Sequence, residues 1–257
     1  MNERIKSLRE QSLNTEASIS LERAKLLTEF YKSGEPNKNS VPVTRAKAFY
    51  YLLANKELCI NDGELIVGER GPAPKATPTY PELCTHSLDD FEILNSREKV
   101  PFKVDEESKQ FQKEKIIPFW DGTSIRNKIL NEMSSDWKDA YEAGVFTEFM
   151  EQRAPGHTVM DDKIYKMGMN DFRKKIEDEI NNLDFFKDPE ALNKREELKA
   201  MAIATDALIN FSNRYSKKLY NLASAENDKT RKDELETLAG ICERVPANAP
   251  KTLWEAL

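Results

Sequence analysis

The sequence predicts a mostly α-helical protein, built from long helices with one short extended segment. Three observations carry this. Apolar residues recur at three- and four-residue spacing over most of residues 104–245. Charged residues make up 33% of the 257-residue chain against 39% hydrophobic ones, which gives helices broad solvated faces. Only Leu65-Ile-Val67 reads as a short β-prone run.

In chain order, Leu21, Ala24, Leu27 and Tyr31 fall on one face of a helix over residues 21–31, with Ser20 as its cap. A polar break at residues 34–40 precedes a second helix over 42–55, which places Ala46, Phe49, Tyr50 and Leu53 inward. Asn61-Asp-Gly63 is a turn signal, so residues 58–68 predict a small hairpin or a buried extended segment. Four prolines between residues 71 and 81 predict an irregular stretch laid over a surface or across a cleft. Further helices are expected over 106–115, ending before Pro118, over 124–133, and over 135–143, broken by Gly144. Residues 162–183 read as one helix with Ile164, Met167, Phe172, Ile176 and Ile180 inward. The longest candidate spans about 190–225, with a stripe of Leu198, Met201, Thr205, Leu208, Ile209, Ser212, Tyr215, Leu219 and Leu222. A last helix covers 229–245 and stops at Pro246.

Composition narrows the function classes. A net charge of -6 argues against a nucleic-acid or anionic-membrane surface. No apolar run approaches the ~20 residues that span a bilayer, and the first residues lack the apolar core of a signal peptide. Cys59, Cys84 and Cys242 are far apart with no CxxC pair, the usage of a reducing compartment, so a cytoplasmic protein is expected. No phosphate-binding glycine loop, zinc-protease motif or nucleophile elbow is present.

The candidate chemistry lies in Phe146-Thr-Glu-Phe-Met-Glu-Gln-Arg-Ala-Pro-Gly-His157, around one of two histidines. Pro155-Gly156 fixes the backbone before His157, and an imidazole titrates near neutrality, so a rigid loop presents it for proton transfer. The plainer reading is a loop histidine bonded to backbone. Phe149 is either core packing or the apolar wall of a pocket. Arg153 suits a carboxylate clamp or a structural ion pair. Cys84 and His86 are too few for a zinc site and read as structural, and Asp161-Asp162 read as a helix N-cap. No metal ligand set is nominated.

Several stretches together resemble the glycyl radical enzyme family, which contains pyruvate formate-lyase. They are Arg45-Ala-x-x-Phe49, Ile60-Asn-Asp-Gly-Glu-Leu-Ile-Val-Gly68, and Gly156-His157 followed by Asp162, Ile164, Tyr165 and Gly168. Cys242-x-x-Val-Pro246 and Thr252-x-x-Glu-Ala256 resemble the family's lead into its catalytic barrel. Pro78-Thr-Tyr-Pro-Glu82, Ile117-Pro-Phe-Trp120 and the block from Trp137 to His157 resemble the branch that dehydrates trans-4-hydroxy-L-proline. The resemblance covers essentially all 257 residues and implies the N-terminal helical part of a glycyl radical enzyme α/β barrel, one domain portion over 1–257. It implies Phe149 and His157 as substrate-binding residues, with His157 also catalytic.

The implied cofactor is not bound by these residues. It is a glycyl radical placed elsewhere in the protein by a partner activating enzyme that uses S-adenosylmethionine and an iron-sulfur cluster. Family members are often dimers, so a homodimer is implied by the resemblance alone. The sequence stops within Thr252-Leu-Trp-Glu-Ala-Leu257, where a new amphipathic helix begins. The expectation is a chain truncated before the barrel, lacking the thiyl cysteine and radical glycine and inactive alone. The competing expectations are another glycyl radical lyase of a small polar substrate, or a non-catalytic helical binding module.

Overall fold

The computed structural model describes residues 2–146 and 160–257. The elements run α1 (Glu3–Asn14), β1 (Ser18–Ser20), α2 (Glu22–Lys32), α3 (Val41–Asn55), β2 (Ala76–Pro78), α4 (Leu88–Ser96), α5 (Glu106–Phe111) and α6 (Ile117–Trp120). They continue with α7 (Ile125–Glu132), α8 (Ser135–Glu142), α9 (Met169–Asn181), α10 (Ala191–Ala225), α11 (Lys229–Arg244) and α12 (Leu253–Ala256). The predicted mostly helical class is what the chain adopts.

The body is the 35-residue α10, against which α3, α9 and α11 pack. Its buried positions include Ala200, Ala207 and Ala223, and small side chains let helix axes approach closely. Leu219 and Ala223 meet Leu235, Leu238 and Ala239 of α11 in one apolar cluster. The predicted stripe is right at Thr205, Tyr215 and Leu219, while Met201 and Leu222 are exposed. On α3 the buried residues are Val43, Thr44, Ala46, Ala48 and Leu53. Phe49 and Tyr50, expected inward, are 38% and 39% exposed, because α10 meets the Val43–Ala46 side.

A second cluster joins Ala24, Leu27 and Phe30 of α2 to Ala48, Ile116 and Trp120. The indole Nε1 of Trp120 donates to Thr28 Oγ1 at 2.8 Å, so its one polar atom is satisfied inside the core. The helix predicted to end before Pro118 instead runs through it. Residues Gln112–Ile116 widen into a π-turn, and Ile117 N–H reaches the Gln112 carbonyl five residues back. Pro118 then falls at the start of α6, where its missing N–H costs nothing.

Residues 58–68 do not form a hairpin. Asn61-Asp-Gly63 does turn, with Gly63 at φ +77° and the Asn61 amide bonded to Glu64 Oε1 at 2.8 Å. Some of the carbonyls that follow are then taken by side chains from elsewhere. Arg231 binds Glu64 O, Trp254 Nε1 binds Leu65 O at 2.6 Å, and Lys56 Nζ binds Glu69 O and Arg70 O. These carbonyls are satisfied without a partner strand, the second option the sequence allowed.

The strands lie elsewhere. β1 and β2 pair in parallel with Ser18 opposite Ala76, which puts a strand inside the proline-rich stretch read as irregular. Pro78 sits at its end, where no ladder donor is needed. Gly71 makes this turn fit, since a Cβ there would lie 2.3 Å from the Ala76 carbonyl oxygen.

Two helices were not anticipated. α1 buries no residue and is tied down by polar contacts, including the Arg4–Glu234 ion pair. α4 opens on a capping box in which Ser87 and Asp90 exchange backbone bonds. Ser20, proposed to cap α2, accepts the Glu22 N–H at 3.3 Å, while Leu21 occupies the cap position.

Candidate functional site

Phe149, His157 and Arg153 lie outside the described residues; the candidate site is formed by the residues on either side of them in sequence. Its entry is built by α7 and α8. Ser124 caps α7, accepting the Asn127 N–H at 3.2 Å. Neither helix buries a residue. Phe146 packs its ring against Trp137 and Tyr141, with centroids 5.1 and 6.0 Å away. Arg126 Nη2 donates to the Tyr141 hydroxyl at 3.2 Å, which locks α7 to α8.

The facing wall is the stretch from Cys84 to Asp90. Between the two walls lies a cavity of about 800 Å³, lined by Cys84, His86, Asp90, Arg126, Tyr141 and Phe146 among others. The buried Gln112, at the head of the π-turn, donates its Nε2 to the His86 carbonyl at 2.7 Å and fixes that wall. His86 Nδ1 stands 3.6 Å from Asp90 Oδ2. The structural reading of His86 therefore fits its backbone, while its ring faces a groove the sequence did not reveal. Imidazole, carboxylate, phenol and guanidinium on apolar walls suit a small polar molecule better than an apolar one.

The exit is equally specific. Met160 and Asp161 both have positive φ, +63° and +57°, a region side-chain-bearing residues seldom occupy. The helix predicted over 162–183 is therefore divided. A 3₁₀ turn covers Asp161–Tyr165, and α9 begins only at Met169. Gly168 explains the break, because a Cβ there would lie 2.3 Å from Asn248 Cα and 2.4 Å from the Ala247 oxygen. Met169 N–H bonds Pro246 O and Asn170 N–H bonds Ala247 O, at 2.8 and 3.0 Å. The Asp161-Asp162 pair does not cap a helix. Met160 holds the cap position, and Asp162 pairs with Lys166. Phe172 and Ile180 are half-buried and Ile176 is buried, as the inward stripe requires.

Of the cysteines in the body, Cys59 is buried and Cys242 half-buried. Burial raises the Cys59 thiol, and burial raises that of Cys242 despite its hydrogen bond with Ser212. Among the described residues no three His, Cys, Asp or Glu side chains form a metal-binding group.

The sequence fits the pyruvate formate lyase-like family. That family matches residues 1–257, and the chain belongs to it. Trans-4-hydroxy-L-proline dehydratase of Clostridioides difficile is 49% identical over 255 residues, 99% of this chain and 32% of that protein. Isethionate sulfite-lyase of Nitratidesulfovibrio vulgaris is 32% identical over 266 residues, 100% of this chain and 32% of that protein. Among solved structures, hydroxyproline dehydratase from Clostridioides difficile with substrate trans-4-hydroxy-L-proline bound superposes with TM-score 0.93, covering 100% of this chain and 32% of that one. The B12-independent glycerol dehydratase from Clostridium butyricum gives 0.90 at 29% identity, with the same coverage. The chain thus spans about a third of the length of the relatives it matches.

Proposed function

We propose that residues 1–257 form the N-terminal helical part of a glycyl radical dehydratase that removes water from trans-4-hydroxy-L-proline to give pyrroline-5-carboxylate. The carrying observation is the gradient of identity. It is 49% to a dehydratase of that substrate, against 32% and 30% to relatives named for isethionate and (2S)-3-sulfopropanediol. The block from Trp137 to His157, the most specific stretch of the sequence, points the same way.

The radical chemistry is supplied by residues outside 1–257, after activation by an S-adenosylmethionine iron-sulfur enzyme. What this chain adds is positioning and proton control. His157 donates a hydrogen bond or a proton to the departing C4 hydroxyl, because hydroxide is a poor leaving group. General acid help of this kind is worth ~10²–10⁴-fold. Phe149 forms an apolar wall that keeps water from the substrate's ring. The Gly168 anchor and the Trp137–Tyr141–Phe146 cluster hold the ends of the segment that carries both residues. We further assign the protein to the cytoplasm, as a homodimer served by that activating enzyme. No helix among the described residues is long and apolar enough to cross a membrane.

The test is an anaerobic assay of the full-length polypeptide with its activating enzyme, given hydroxyproline, glycerol, choline and isethionate in turn. Pyrroline-5-carboxylate from hydroxyproline, with no turnover of the others, is expected. Residues 1–257 alone are expected to give no product. Preference for any other substrate would overturn the assignment.

A further inference from the structure

A second cavity, of about 280 Å³, lies where α10, α11 and α12 face the extended segment 65–68, apart from the groove described above. Its walls are mostly apolar, with Ile66, Val67, Phe211, Tyr215, Ile241 and Leu257 among them. The segment has the pattern of a strand with one covered face. Leu65, Val67 and Glu69 are half-buried, while Ile66 and Gly68 are exposed. Val67 packs on the cluster of Leu219 and Leu238, and Ile66 is 50% exposed.

The main chain there is unpaired. Trp254 takes the carbonyl of Leu65 and Lys56 that of Glu69. Between them, the N–H and C=O groups of Ile66, Val67 and Gly68 bond no protein atom among the described residues. Unpaired backbone groups on an apolar, β-prone run are a template for another strand. Folded proteins blunt such edges with charge or proline, and Leu65-Ile-Val-Gly68 carries neither. The apolar surface continues along α12 and its end, where Leu253 and Leu257 are 77% and 69% exposed.

We propose that Ile66–Gly68 pairs, main chain to main chain, with an extended stretch of the same polypeptide beyond residue 257, whose apolar side chains fill the cavity beside it. This rests on reading residues 1–257 as part of a longer dehydratase. The chain spans about a third of the length of its relatives, so on that reading most of the polypeptide lies outside it. Leu257 itself lines the cavity, and a continuing chain leaves from its rim. Tethering gives such a stretch a far higher effective concentration than a free partner or a second copy has. The pairing joins the helical body to the remainder through backbone bonds as well as side-chain packing.

The test is hydrogen exchange by mass spectrometry on the unaltered full-length polypeptide, read on peptides covering residues 61–70 at two protein concentrations. The Ile66–Gly68 amides are expected to exchange at least about 100-fold slower than unpaired amides, equally at both concentrations, because paired amides exchange only on opening. Exchange at the unpaired rate would overturn the proposal. Protection that falls on dilution would overturn it too, by making a second copy the occupant. Ile66→Cys carrying a benzophenone is expected to cross-link on illumination to a residue beyond 257 of its own chain. Cross-links confined to residues 1–257 would count against the pairing. No turnover is measured, so a protein that fails on hydroxyproline can still show the protection, and the two readings fail separately.

Discussion

The helical body of α3, α10 and α11 and the shell of α7 and α8 solve the folding problem in opposite ways. In the body, side chains with no exposure, such as Leu219 and Ala239, meet across long helices. Cations of α10 also reach the carbonyls that end α3, with Arg214 on Leu53 O and Lys56 O, and Lys218 on Leu58 O. In the shell the two helices have eight residues each and bury none, and Trp137 remains 58% exposed. Short, shallowly packed elements contribute little stability but leave polar side chains facing a groove. The body supplies the stability, and the shell trades it for access.

This contrast is sharpest under substitution. Leu219→Ala should cost about 3–4 kcal/mol in urea unfolding, because the residue has no exposure and α11 closes the far side. Gly168→Ala should cost about 2–3 kcal/mol, since the backbone at Ala247 and Asn248 must move away from a new Cβ. Trp137→Ala should cost less than about 1 kcal/mol despite its larger side chain. A Trp137→Ala loss equal to that of Leu219→Ala would break the comparison.

The smallest effect lies at the edge of the body, in α12. The Lys251 N–H, joined by the Arg244 guanidinium and the Thr252 N–H, holds the Glu255 carboxyl below its usual range. A depressed carboxylate stabilises the fold above its unfolded value of about 4.3, and this is lost as pH falls toward the folded one. Trp254 emission should therefore begin to change below about pH 4.3, and Glu255→Gln should show that change already at neutral pH. Identical profiles for the two proteins would remove the carboxylate from the account.

The long helices were legible because a 3.6-residue period repeated over many turns averages out local noise, as in α10 and α11. What escaped the sequence depended on contacts between distant residues. The break at Gly168 is dictated by Ala247 and Asn248, some eighty positions on, and nothing in residues 162–183 announces it. The π-turn that carries the chain through Pro118 is likewise invisible to periodicity. The carbonyls of Glu64, Leu65 and Arg70 looked like strand carbonyls until side chains of Arg231, Trp254 and Lys56 claimed them. Of the site, the sequence nominates Phe149 and His157, which lie outside the described residues. The groove of His86, Arg126 and Tyr141 was not legible, since three separate stretches meet there.

The most direct measurement is the anaerobic rate of pyrroline-5-carboxylate formation by the activated full-length polypeptide and its His157→Gln and Phe149→Ala variants. His157→Gln should lower kcat by ~10²–10⁴-fold, while Phe149→Ala should act chiefly on KM. A His157→Gln enzyme as fast as the unaltered one would contradict the account.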